Sequence, residues 1–258
     1  MFPLPRWLRS LGPLVAADLR RRYAGSALGM LWAALAPLLE VGAYALVFGW
    51  ILGAARGGGL SYLVLIASGL FPWASFREAL EASATVLPDS RWIRRSRVPM
   101  DLLVARTTLT ASPRAVVGLL VVYAASLAAP RGAGLGDWAW PIVAVLSQTL
   151  AAFGLGLLVA PLATLFPDLR PTLVSLLTLL TFASPILYPE SLARGSMRLA
   201  LLCNPFTHLL RLYRSPVEPL AGREVLLSGA IVVTTALALL AAGSWARARL
   251  WWKARDLQ

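Results

Sequence analysis

The sequence predicts an all-α membrane protein with six transmembrane helices and an N-terminal amphipathic helix. Three observations carry this. Hydrophobic residues make up 58% of the 258 and charged residues only 14%, whereas a soluble domain keeps about a quarter of its residues charged. The apolar residues stand in blocks near the roughly 20 that cross a bilayer as a helix. The basic residues gather at the ends of those blocks, as membrane orientation requires. The net charge of +12 therefore belongs to the membrane surface and not to nucleic acid, and a soluble enzyme is excluded.

The first element is residues 1–22. Trp7, Leu8, Leu11, Leu14, Val15 and Leu19 recur at three- and four-residue spacing, with Arg6, Arg9, Asp18 and Arg20 at other positions. That is the pattern of a helix lying in the membrane interface, which can also touch a partner on the cytoplasmic side. Pro13 is expected to kink or split it. The segment lacks the apolar core and cleavage site of a signal peptide, so the first span is expected to be uncleaved. Arg20, Arg21 and Arg22 then hold the start of that span at anionic headgroups.

Six apolar segments follow, at roughly 29–53, 60–81, 102–128, 138–166, 172–188 and 225–245. The third carries Arg106, Pro113 and Arg114, so its lower part should face protein or water. The fifth is short and ends in "SPILYP", where two prolines break the helix. With the N-terminus inside, fourteen basic residues fall on the cytoplasmic side and seven outside, five of the seven in the long loop 189–224. Both termini are therefore expected to be cytoplasmic.

Glu40 stands inside the first apolar block. A carboxylate at that depth faces protein or water, so it is expected to pair with Arg106 or Arg114, to be protonated, or to face a lumen.

Between the second and third spans runs "PDSRWIRRSRVP". Asp89 is an expected N-cap, residues 90–97 make about two turns, and Pro99 stops them. The product is a short basic helix presenting Arg91, Trp92, Arg94, Arg95 and Arg97, a surface suited to another protein. Asp168 and Arg170 form a tight turn between the fourth and fifth spans, expected as a local ion pair or helix cap.

The chain has no G-x-x-x-x-G-K-[ST] loop, and its one lysine, Lys253, follows no phosphate-cradling turn. Its single histidine, His208, and single cysteine, Cys203, read as structural and offer neither a metal cluster nor a disulfide. Active transport would draw its energy from an ion gradient or from another chain. A gradient-driven carrier working alone remains one reading.

Ordered patches favour the other. "RRRYAGSALGMLWAALAPLLEVGAYALVFG" resembles the first-span region of permease subunits of polysaccharide-exporting ABC transporters, through Arg22, Tyr23, Gly25, Ser26, Leu28, Gly29, Trp32, Pro37, Leu38, Tyr44, Val47 and Phe48. "SGLFPWASFREAL" resembles the second span through Gly69, Leu70, Pro72, Trp73 and Phe76. "IRRSRVPMDLL", "SPILYP" and "NPFTHLLRLYR" are similar to the loop and outer signatures of that family. Ala24, Ala36 and Pro167 depart from its usual basic residue, asparagine and arginine.

The resemblance implies a homodimeric channel for a lipid-linked O-antigen, capsule or teichoic-type polymer in the bacterial inner membrane. It also implies a separate ABC ATPase chain that carries ATP and Mg, with no cofactor on this one. The helix at about 88–99 becomes the coupling helix, and 189–224 becomes short re-entrant helices. The architecture is then residues 1–22 as interface helix and 23–258 as permease domain. An ABC exporter of a smaller lipid or drug is the nearest alternative. Aromatic faces stack on sugar rings, which makes Tyr44, Trp50, Tyr62, Phe71, Trp73, Phe182 and Tyr188 candidates for lining the path. Any one of them alone equally fits an interfacial aromatic belt.

Overall fold

The computed structural model describes residues 4–22, 24–26, 28–44, 46–47, 59–87, 98–127, 134–218 and 220–256. Regular structure among these is helical: α1 (Leu4–Arg22), α2 (Trp32–Tyr44), α3 (Gly59–Val86), α4 (Met100–Ala111), α5 (Pro113–Leu127), α6 (Ala139–Leu165), α7 (Leu169–Phe182), α8 (Gly195–Cys203), α9 (Pro205–Arg214) and α10 (Gly222–Asp256).

Among the described residues, four helical stretches are long and apolar enough to cross a membrane: Tyr62–Val86, Met100–Leu127, Ala139–Leu165 and Gly222–Lys253. Such a helix closes its backbone hydrogen bonds on itself, which hydrocarbon demands. The other two predicted spans are shorter where described. The 14 residues of α7 rise about 21 Å against a hydrocarbon core of about 30 Å. The 13 residues of α2 cover part of the first predicted span, whose residues 48–53 lie outside the described set.

The prolines act differently from one another. Pro13 does not split α1, which runs unbroken from Leu4 to Arg22. Pro113 does divide the third span, into α4 and α5. A proline there withholds the N–H that would reach the Leu109 carbonyl. The Ser112 hydroxyl donates to that carbonyl at 2.8 Å instead, so the Leu109 carbonyl keeps a partner across the break.

The hub is α3. It packs against α4, α5 and α6 along much of its length, with α2, α7 and α9 also touching it. Gly118 of α5 allows this closeness, since a Cβ there would stand 2.9 Å from the Phe71 Cβ. The most extensive pair is α6 with α10. The two run parallel, Trp140 lying by Gly229 at one end and Gly154 by Leu240 and Gly243 further along. A Cβ on Gly154 would lie 2.5 Å from the Leu240 backbone nitrogen, and one on Gly243 only 1.9 Å from the Gly154 carbonyl oxygen. Small residues let membrane helices approach to backbone contact, where dispersion and not water exclusion holds them.

The bundle has two distinct ends. At one, the apolar face of α1 (Leu11, Leu14, Val15) packs on Leu102, Ala105 and Leu109 of α4. At the other lie the turn 183–188 and the α8–α9 hairpin.

The glycine contact gives a direct test. Gly243→Ala should destabilise the detergent-solubilised protein by about 1–3 kcal/mol, the usual cost of overpacking, read as a fall in the thermal unfolding midpoint. Gly12→Ala in α1, where a new Cβ meets nothing within 4 Å, should be neutral or stabilising by up to about 1 kcal/mol.

Candidate functional site

The residues of "SPILYP" form the turn after α7, and those of "NPFTHLLRLYR" form α9, the second helix of the α8–α9 hairpin. Asn204 caps α9, its Oδ1 accepting from the Phe206 N–H at 2.9 Å, and Pro205 starts the helix where a missing N–H costs nothing. The same side chain donates Nδ2–H to the Ala183 carbonyl (3.2 Å) and to Ser184 Oγ (2.9 Å). One asparagine thus ties the start of α9 to the end of α7. His208 is buried and tied at both ring nitrogens, Nε2 with the Leu202 carbonyl and Nδ1 with Ser228 Oγ, which makes it structural as expected.

From this tip α9 runs antiparallel to α3. Phe206 meets Trp73 edge-on with centroids 4.9 Å apart, and Arg214 reaches Leu65 and Ser68. Trp73 lies about 20 Å along α3 from Gly59 at 1.5 Å per residue, so the hairpin tip reaches deep into the bundle. The far end is held by Arg214, only 6% exposed. Its Nε donates to Ser68 Oγ (3.0 Å), and its terminal nitrogen to the carbonyls of Leu65 (3.0 Å) and Pro185 (3.1 Å). Gly69 makes room, since a Cβ there would lie 3.1 Å from that terminal nitrogen. Beside it, the buried Tyr213 hydroxyl donates to Gln148 Oε1 (3.1 Å), and Gln148 Nε2–H donates to the Pro72 carbonyl (2.9 Å). At the rim, Glu190 and Arg211 form a two-point ion pair. The hydrogen bond from Arg211 is the main cause holding the Glu190 carboxyl below its ordinary range, and Arg211 is raised in turn.

The predicted path aromatics divide by position. Tyr62, Phe71 and Trp73 are buried inside this chain, Tyr62 donating to the Leu187 carbonyl at 3.0 Å. Tyr44 packs beside the same core. Phe182 is exposed, and the half-buried Tyr188 donates its hydroxyl to the Phe182 carbonyl at 3.1 Å. Trp50 lies outside the described residues. Trp73, Phe76 and Phe206 also wall a cavity of about 230 Å³ between α3, α6, α7, α9 and α10, whose surface is almost wholly apolar.

The charges expected near mid-span take other partners. Arg106 pairs with Asp18 of α1 at 3.0 Å, and Arg114 with Glu78 at 3.2 Å. Glu78 also pairs with Arg22, while Arg247 of α10 pairs with Asp101 at 3.2 Å. Glu40 is exposed on α2 and joins no ion pair with any described residue. The reason is reach: the carboxylates of α1 and α3 lie where α1 crosses the bundle, beside the two arginines. Asp168 stands at the N-terminus of α7 with no side-chain cap hydrogen bond. Arg91, Trp92, Arg94, Arg95, Arg97 and the expected cap Asp89 lie outside the described residues.

Sequence reading placed Arg214 in a family signature without giving it a partner, and passed over Gln148 and Glu78. Each carried a signal. Arg214 follows Leu210 at helical spacing, a charge on an apolar stripe; Gln148 is a lone amide within the apolar α6; Glu78 sits inside a span-length helix.

Two tests follow. Arg214→Lys keeps the charge but loses the fork, and should cost about 1–3 kcal/mol of stability, measured by thermal unfolding in micelles. The lowered Glu190 carboxyl contributes stability that is complete above its ordinary 4.5 and lost as pH falls through its folded value. Glu190→Gln should therefore flatten the unfolding midpoint against pH across that acid range and leave the slope above pH 6 unchanged.

No family model matches the chain. It is 30% identical over 210 residues to the O-antigen export system permease protein RfbA of Myxococcus xanthus, covering 78% of this chain and 77% of that one. It is 24% identical over 200 residues to the RfbA permease protein of Klebsiella pneumoniae, covering 76% and 75%. It is 25% identical over 219 residues to the polysialic acid transport protein KpsM of Escherichia coli, covering 80% of each. These are transport proteins and not enzymes. The chain belongs to the permease subunits of polysaccharide-exporting ABC transporters.

Proposed function

We propose that this chain is the membrane subunit of an ATP-driven exporter that moves a lipid-linked polysaccharide or teichoic-type polymer across the bacterial inner membrane. The observation that carries this is similarity over about four-fifths of the chain to export permeases for O-antigen and polysialic acid, on a bundle of membrane-length helices. In this reading the chain crosses six times with both termini cytoplasmic, α2 and α7 supplying the first and fifth crossings. The α8–α9 hairpin is the re-entrant element of the outer leaflet.

Two copies enclose the polymer. Glu40 favours the α2 face as the one turned inward, because a carboxylate facing lipid is costly and one facing a wet lumen is not. On α7, Val174, Leu176, Leu179 and Phe182 are exposed, and α2 and α7 flank the same helix, α3. Phe182, Tyr188 and Tyr44 are then the aromatics nearest the path. ATP and Mg bind a separate ATPase, which docks against the basic segment Arg91 to Arg97 on the cytoplasmic side.

Co-expression with the ABC ATPase encoded beside it should yield a detergent-stable complex with ATPase activity. Arg94→Glu with Arg95→Glu should abolish co-purification while the permease alone stays monodisperse. A well-folded permease that retains no such ATPase would overturn the reading. For the dimer, a cysteine at Leu179 in a Cys203→Ser background should cross-link two copies. A cysteine at the exposed Leu146 of α6 should not.

A further inference from the structure

We infer that the cavity between α3, α6, α7, α9 and α10 is a binding site for one acyl chain of a bilayer phospholipid. Its volume of about 230 Å³ exceeds the roughly 150 Å³ apolar cavity that stays dry and admits a benzene-sized guest. Trp73, Phe76 and Phe206 form one wall, their rings in mutual contact, and Leu155, Leu180 and Leu239 are among the other lining residues.

The polar groups at its edge decide the ligand's chemistry. Both ends of the Gln148 amide are spent, on Pro72 and Tyr213. Asn204 uses its oxygen on Phe206 and its nitrogen on Ala183 and Ser184. A sugar placed here would strip water from its hydroxyls and find these amides taken, at a cost of several kcal/mol. Ser147, Ser184 and Thr235 also line the cavity and the Trp73 indole N–H has no partner among the described residues, but the lining as a whole is almost wholly apolar and matches an alkyl chain.

The mouth gives the source. α7 and α10 barely touch each other, and Leu237 on the outward face of α10 is exposed. Next to the gap, Leu180 lines the cavity and is itself 37% exposed. A membrane protein's outward apolar face is covered by lipid, so the gap opens sideways onto acyl chains. A chain seated there supplies the packing that α7 lacks, for α7 buries only Leu173 and Leu177.

The test is photolabelling of the full chain in nanodiscs containing a phosphatidylglycerol with a diazirine on its acyl chain, read by peptide mass spectrometry. Label is expected on the cavity peptides around Phe206 and Leu155, and also on the outward face of α10 at Leu237, which serves as the internal standard. Ala151→Phe fills the cavity from α6, and Thr235→Phe obstructs it from α10. In either folded variant the cavity label should fall to background while the Leu237 label persists. Wild-type label at Leu237 with none at Phe206 or Leu155 would overturn the proposal. So would cavity label that survives both substitutions, since the chain would then lie on the surface and not within.

Discussion

The buried Arg214 guanidinium is the constraint around which the rest of the bundle is arranged. A cation far from bulk water must have its donors matched, and here two of them reach three neutral oxygens on α3 and on the turn after α7. That geometry requires α9 to lie against α3 and the 183–188 turn to fold back over both. It also requires a glycine at 69. The short α7, the prolines behind it and the capped start of α9 all follow from bringing that turn within reach of one side chain.

The opposite end is governed by a different balance. There α1 contributes an apolar strip to α4 and two charges, Asp18 and Arg22, to Arg106 and Glu78. These pairs are partly exposed and each adds little stability alone. Their effect is to fix the rotation of a helix whose apolar contact is narrow. An interfacial helix so fixed is coupled to α3 and α4, and thereby to the residues on either side of 88–97. Motion imposed between α3 and α4 would be passed to the bundle and to α1 together.

Between the ends, α6 and α10 form a rigid pair because their glycines permit backbone contact, whereas α2 and α7 pack on one side only. This asymmetry suits the proposed half-transporter: a stiff wall at the back, and two loosely held helices at the face assigned above to a second copy. The cavity lies where the stiff and loose parts join, and a lipid chain there would act on the loose one.

Much of this was legible in the sequence. Composition and block length gave the membrane, and the ordered patches from Arg22 to Arg214 gave the family. Gly25 and Gly29 of the first patch adopt φ of +79° and +49°, a backbone region that favours glycine, so that motif is a geometric one. α7 ends at Phe182, just before "SPILYP" and short of the expected 188. What the sequence could not decide was partnership. Arg106 and Arg114 were visible, but whether they met Glu40, Asp18 or Glu78 depends on how α1 crosses the bundle. Tyr62, Phe71 and Trp73 were visible as aromatics, but only helix packing turned them into the core of the chain. Arg214 counted in the sequence as one more outer-loop charge, and the fold made it the anchor of the hairpin. The bilayer acts on each segment separately, so composition and periodicity suffice to read its demands. Ion pairs, cavities and buried hydrogen bonds join segments far apart in the chain, and only their three-dimensional packing sets which ones meet.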